Sequence, residues 1–141
     1  MNLNRYIKKK ELVELTKQLV QIPTENPPGN EKQAVLFLKP ILSRKGFKVK
    51  ILLSPKGRWN IVAERKWGKG GRRLIFNGHL DVVPAGNPFQ WKYPHFQGKL
   101  RIGKIYGRGT SDMKGGIASF LQAAQIYGLI LINYLSGKNE T

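Results

Sequence analysis

The sequence predicts an α/β domain in which a mixed sheet is flanked by helices. Three observations carry this expectation: amphipathic helical spacing near the amino terminus, short alternating strand-like runs through the middle, and a small-residue-rich helical stretch beginning near residue 112. A chain of 141 residues is long enough to bury a core of its own. It shows no internal repeat, low-complexity segment or linker, so one domain is expected.

Taken in order, Leu12, Leu15, Leu19 and Ile22 recur at three- and four-residue steps and align on one face of a helix from Lys9 to Ile22. "PTENPPGN" then stops it. A second helix is expected from Asn30 or Glu31 to Lys45, with Asn30 as its cap, Pro40 as a kink and Gly46 as terminator. "FKVKILL" sets Phe47, Val49 and Ile51 against lysines, the alternation of a half-exposed strand. "NIVAER" and "RRLIFN" supply two more strand candidates that resemble a hairpin, with "KWGKGG" between them as a flexible turn whose basic residues face solvent. Further on, "FQGKLRIGKIYGRG" holds short strand-like pieces between glycines, "DMKGGIASFLQAAQ" has helical spacing from near Asp112, and "LILI" reads as a buried strand.

Composition removes several classes of function. Cysteine is absent, so any metal must be held by His, Asp, Glu or backbone oxygen. The apolar positions after "MNLNRYIKKK" are interrupted by charges, so no signal-peptide core is present. The longest apolar run, "LILINYL", falls far short of the ~20 residues a membrane-spanning helix needs. A cytoplasmic protein without membrane association is the default expectation. The 25 Lys and Arg against eight Asp and Glu give a formal net charge of +17 and raise anionic partners. Yet the bases are scattered as "KKK", "SRKGFKVK" and "RKWGKGGRR", without the aromatic pattern of an RNA-binding sheet or the helix spacing of a DNA reader. No specific nucleic-acid binding is therefore expected. A noncatalytic basic protein that associates with anionic polymers or a partner subunit stands as the alternative to an enzyme.

Two stretches carry chemistry. In "LIFNGHLDVVPAG", His79 and Asp81 are two residues apart, so in extended chain they project together from the end of an apolar run. A metal-bound imidazole commonly gives its other N–H to a carboxylate, a role open to Asp81. Alone, an H-x-D pair is equally a structural hydrogen bond or an exposed turn. In "YGRGTSDMKGG", four glycines bring backbone close around Asp112, which by itself reads as a helix N-cap as readily as a ligand. The phosphate-loop pattern G-x-x-x-x-G-K-[ST] is missing. His95, the other histidine, reads as surface or structural, and Trp91 and Phe96 read as packing anchors.

Together with "LVQIPTENPPGNE", "GFKV" and "RWNIVA", these stretches resemble the metal-dependent exopeptidase and deacylase family that includes acetylornithine deacetylase, succinyl-diaminopimelate desuccinylase, aminoacylase and glutamate carboxypeptidase. The resemblance covers most of residues 11 to 125. It implies an incomplete zinc-aminopeptidase-like catalytic domain, residues 1–141 forming its amino-terminal part without the lid or dimerisation domain. It further implies two divalent metal ions, zinc or in some members cobalt, and hydrolysis of an amide bond in a small N-acyl amino acid or peptide. On this resemblance His79 matches a metal ligand, Asp112 the carboxylate bridging both metals, and Asp81 the aspartate that orients the imidazole. The Asp112–Met113 peptide is expected to be cis, and a homo-oligomer is allowed.

The family continues with a Glu-Glu pair, a further acidic ligand and a late histidine. In "LSGKNET" Glu140 stands for the second Glu on one alignment, which puts Asn139 where the general base belongs; a disordered terminal glutamate is the other reading. An amide cannot accept the proton, so the chain alone is expected to be inactive, as a truncated or frameshifted fragment would be.

Overall fold

The computed structural model describes residues 3–68 and 70–135. Its elements run α1 (Lys9–Val20), α2 (Lys32–Arg44), β1 (Lys48–Leu53), β2 (Trp59–Glu64), β3 (Lys99–Arg101), β4 (Lys104–Tyr106) and α3 (Gly115–Leu135). The class is α/β, with the strands in two separate antiparallel pairs, β1–β2 and β3–β4. Asn139 and Glu140 lie outside the described residues.

Helix α1 buries Thr16, Leu19 and Val20; of the predicted stripe Leu19 is fully buried, and Leu12, Leu15 and Ile22 are half-buried. In α2 the buried residues are Ala34, Val35, Leu38 and Leu42, again one helical face. The cap residue is Glu31 rather than Asn30, and it makes no side-chain cap bond. The helix runs through Pro40 to Arg44. It ends as Gly46 predicts: this residue takes φ 80°, Gly46 N–H donates to Ser43 O at 2.9 Å, and Phe47 N–H donates to Leu42 O at 3.1 Å. That pair of bonds satisfies two terminal carbonyls and turns Phe47 back onto Leu42, where both join the core.

Strand β1 pairs with β2 in the register Val49↔Ala63 and Ile51↔Ile61, so the two inward faces coincide. The core lies where this face meets α2, α1 and the start of α3: Leu19, Leu38 and Leu42 are packed by Phe47, Val49, Ile61, Leu80, Ile117 and Leu121. The connection is a turn at residues 54 to 58, where Gly57 N–H donates to Ser54 O at 2.9 Å. The hairpin thus joins "FKVKILL" to "NIVAER", and "RRLIFN" forms no strand. A strand requires a neighbour to take its ladder bonds, and among the described residues none pairs with 72–77. Leu74 and Ile75 are left 62% and 78% exposed, and Phe76 finds a stacked partner in Phe120 at 5.1 Å.

One further expectation is corrected. "LILI" lies inside α3, which continues unbroken from Gly115 to Leu135; a short apolar run has no period that separates buried strand from buried helix. Within "KWGKGG", Lys66 and Gly68 face solvent, but Trp67 packs edge-on against Phe47 and Tyr127 at 6.2 and 5.8 Å. Its ring occupies the space where a Cβ on Gly128 would stand, 2.2 Å from the indole nitrogen. Strands β3 and β4 meet in a two-residue turn, Ile102 at φ 48° and Gly103 at φ 71°. Among the described residues no helix is long and apolar enough to cross a membrane.

Candidate metal centre

The segment carrying His79 is fixed just after the histidine rather than before it. Val82 N–H donates to Thr24 O and Val82 O accepts from Asn26 N–H, both at 2.9 Å, a single parallel bridge to the loop after α1. Thr24 Oγ1 donates to Leu80 O at 2.6 Å. On the other side Gly78 lies against α3: a Cβ there would come 2.8 Å from Ile117 and 2.9 Å from Met113. The missing side chain lets the backbone approach close enough for His79 N–H to meet Met113 Sδ at 3.4 Å.

Asp112 sits in a wide helical turn, Thr110–Lys114, that precedes α3. Its φ and ψ of −126° and 96° are not helical, and the Asp112–Met113 peptide is cis. Helix α3 starts three residues later, at Gly115, and the Asp112 carboxylate meets His79 Nε2 at 3.0 Å. The turn opens on Gly109 at φ 81°, whose carbonyl accepts from Lys114 N–H at 2.8 Å. Lys114 runs underneath, fully buried, and its Nζ donates to Ile22 O at 2.6 Å. Burial pushes this ammonium down to about 8.

The arrangement brings His79, Asp81 and Asp112 to one cleft of about 280 Å³, with Arg108 the one Lys or Arg on its wall among the described residues. His79 Nδ1 lies 3.0 Å from the Asp81 backbone carbonyl and 3.4 Å from Asp81 Oδ1. Both ring nitrogens thus face acceptors, and a neutral imidazole carries one N–H. The ring is satisfied only as imidazolium or with another cation in place of the Nε2 proton. Accordingly the His79 pKa is raised, first by the bond to the Asp81 carbonyl and then by the Asp112 carboxylate, against partial burial. Burial works to raise Asp81 as well, but the bond from Asn26 and the Arg58 charge outweigh it, and the carboxyl stays below its ordinary value.

An imidazole nitrogen and a carboxylate oxygen are donor types that zinc accepts, and their contact at 3.0 Å shows both converging on one point. Among the described residues no group of three or more His, Cys, Asp or Glu is placed to hold a metal ion. His95 lies apart, its ring between Trp91 and Phe96 at 5.9 and 4.9 Å, a packing position. Sequence reasoning passed over Asn26, Glu31, Arg58 and Arg108. The motifs "PTENPPGNE" and "RWNIVA" contain the first three, but their convergence on Asp81 spans 55 residues for Asn26 and 23 for Arg58, beyond any local pattern.

Comparison with known proteins accords with this geometry. Residues 75–128 match the model of peptidase family M20/M25/M40. A probable succinyl-diaminopimelate desuccinylase of Staphylococcus aureus (strain Mu50 / ATCC 700699) is 43% identical over 112 residues, 79% of this chain and 27% of that protein. Succinyl-diaminopimelate desuccinylase 2 of Ruegeria sp. (strain TM1040) is 42% identical over 114 residues, 79% of this chain and 28% of that protein. Succinyl-diaminopimelate desuccinylase of Orientia tsutsugamushi (strain Ikeda) is 40% identical over 117 residues, 83% of this chain and 30% of that protein. The chain thus spans between a quarter and a third of the length of these relatives. Through residues 75–128, the segment that supplies both His79 and Asp112, this chain is similar to peptidase family M20/M25/M40.

Proposed function

We propose that the chain contributes part of a divalent-metal site to an amide-bond hydrolase, with His79 and Asp112 as ligands and Asp81 as the residue that orients His79. The observation that carries this reading is the imidazole held between two acceptors, which leaves Nε2 suited to a cation. Zinc is the proposed ion, with cobalt as its substitute. When bound, such an ion supplies Lewis-acid polarisation of the scissile carbonyl and makes water more acidic.

The chain's own residues do the rest of the positioning. The Asp81 carbonyl holds the Nδ1 proton, so Nε2 is the nitrogen that faces Asp112. Asp112 is 86% exposed and reaches the cleft without burial cost. A small N-acyl amino acid or peptide is the proposed substrate class. The relatives' names, which specify a succinyl group, support an acidic acyl group for this chain as well, and the Arg108 guanidinium on the cleft wall is a cation suited to it. Asp81 and Asp112 are the carboxylates lining the cleft among the described residues, and both already have roles. With no third carboxylate on the cleft among the described residues to accept a proton from water, we expect the isolated chain to hydrolyse such substrates slowly or not at all.

Titration calorimetry of the full chain with zinc tests the reading. Uptake that is lost in both His79→Ala and Asp112→Asn supports it. Uptake unchanged in the double variant would overturn it.

A further inference from the structure

The stretches "NPPGNE" and "RWN" meet beside the cleft, yet the metal reading gives them no role. Glu31, at the start of α2, is only 5% exposed. A carboxylate so placed requires a partner. Arg58, the residue before β2, supplies it: Nε donates to Glu31 Oε2 at 3.0 Å, and Nη2 donates to Oε1. The same Nη2 also donates to Asp81 Oδ2 at 3.2 Å, and Asn26 Nδ2 adds a second donor to that oxygen at 2.8 Å. Two donors on Oδ2 fix the rotation of the carboxylate, which leaves Oδ1 as the oxygen turned toward His79 Nδ1. The loop makes room for this, because a Cβ on Gly29 would stand 2.5 Å from Arg58 Nε.

We propose that Glu31 and Arg58 are positioning residues: a buried carboxylate holds a guanidinium, the guanidinium clamps Asp81, and Asp81 sets the plane and tautomer of His79. The planar fork of arginine is what allows one side chain to serve two carboxylates; an ammonium cannot span both in the same geometry. The consequence for metal affinity rests on the reading of His79 as a ligand, whereas the consequence for the ring is a property of the metal-free chain.

The test uses the full chain as wild type, Arg58→Met, Arg58→Lys and Glu31→Gln. Ring ¹⁵N shifts of His79 are recorded without metal, and zinc affinity is measured by calorimetry. In Arg58→Met the His79 ring shifts are expected to depart from those of wild type toward an average over ring states, with zinc affinity lower by about 10- to 100-fold. Arg58→Lys restores the charge but not the fork, and is expected to stay closer to Arg58→Met than to wild type. Glu31→Gln keeps the shape of the buried side chain and is expected to shift the ring in the same direction, so it decides the matter if circular dichroism shows Arg58→Met to be unfolded. Wild-type ring shifts in folded Arg58→Met, or full recovery in Arg58→Lys, would overturn the proposal. If the wild-type chain takes up no zinc, the metal reading falls, while the ring shifts still decide the clamp.

Discussion

Strand β2 and the run from Arg72 to Asn77 have similar compositions, and the fold treats them oppositely. Ile61 in β2 faces Ile51 across a ladder and packs on the core, while Ile75 is 78% exposed with no strand beside it among the described residues. Apolar, β-branched composition is common to both. What separates them is a partner: β1 lies five residues before β2 across a short turn, so the ladder closes at little loop-entropy cost. Composition makes a segment fit to be a strand, and a hydrogen-bonding neighbour makes it one.

The comparison is broken most severely by removing what β2 packs against. Leu38 is nearly fully buried in α2 under the hairpin, and Leu38→Ala is expected to cost about 2–5 kcal/mol in urea unfolding. A smaller effect separates the two runs directly: Ile61→Ala should destabilise by about 1–3 kcal/mol, whereas Ile75→Ala should stay within about 0.5 kcal/mol of wild type. Equal losses at the two positions would mean that 72–77 is paired in solution.

Buried charge offers a contrast with buried hydrocarbon. Lys114 has a folded-state pKa of about 8 against the ordinary 10.5, so between these values the unfolded chain binds more protons than the folded one. Stability is therefore expected to rise with pH across that window, by up to about 3 kcal/mol, and the slope should be smaller in Lys114→Met. A wild-type slope preserved in that variant would place the titrating group elsewhere. The smallest effect is at the β3–β4 turn, where a β-branched residue holds φ 48° and is 87% exposed. Ile102→Asn is expected to stabilise by about 0.5–1 kcal/mol, read as a higher melting temperature.

Much of this architecture is legible locally. The helices α1 and α2 and the inward position of Leu19 follow from local spacing, and Gly46 as helix terminator follows from the need for positive φ. The position of β1 and the helix near Asp112 were equally readable. The cap at Glu31 was not, because that residue is held by an arginine 27 positions later rather than by its own helix end. "LILI" became helix because it lies in an uninterrupted stretch after Gly115, something its own four residues do not specify.

The sequence by itself determined where α1 and α2 lie and where α2 stops, since helix bonds reach only four residues along the chain. Tertiary structure alone decided that His79 and Asp112, 33 residues apart, share a contact, that Arg58 spans Glu31 and Asp81, and that 72–77 finds no strand partner among the described residues. Each of these depends on which distant backbone is close enough to donate or accept a hydrogen bond, and that distance is fixed only when the core closes.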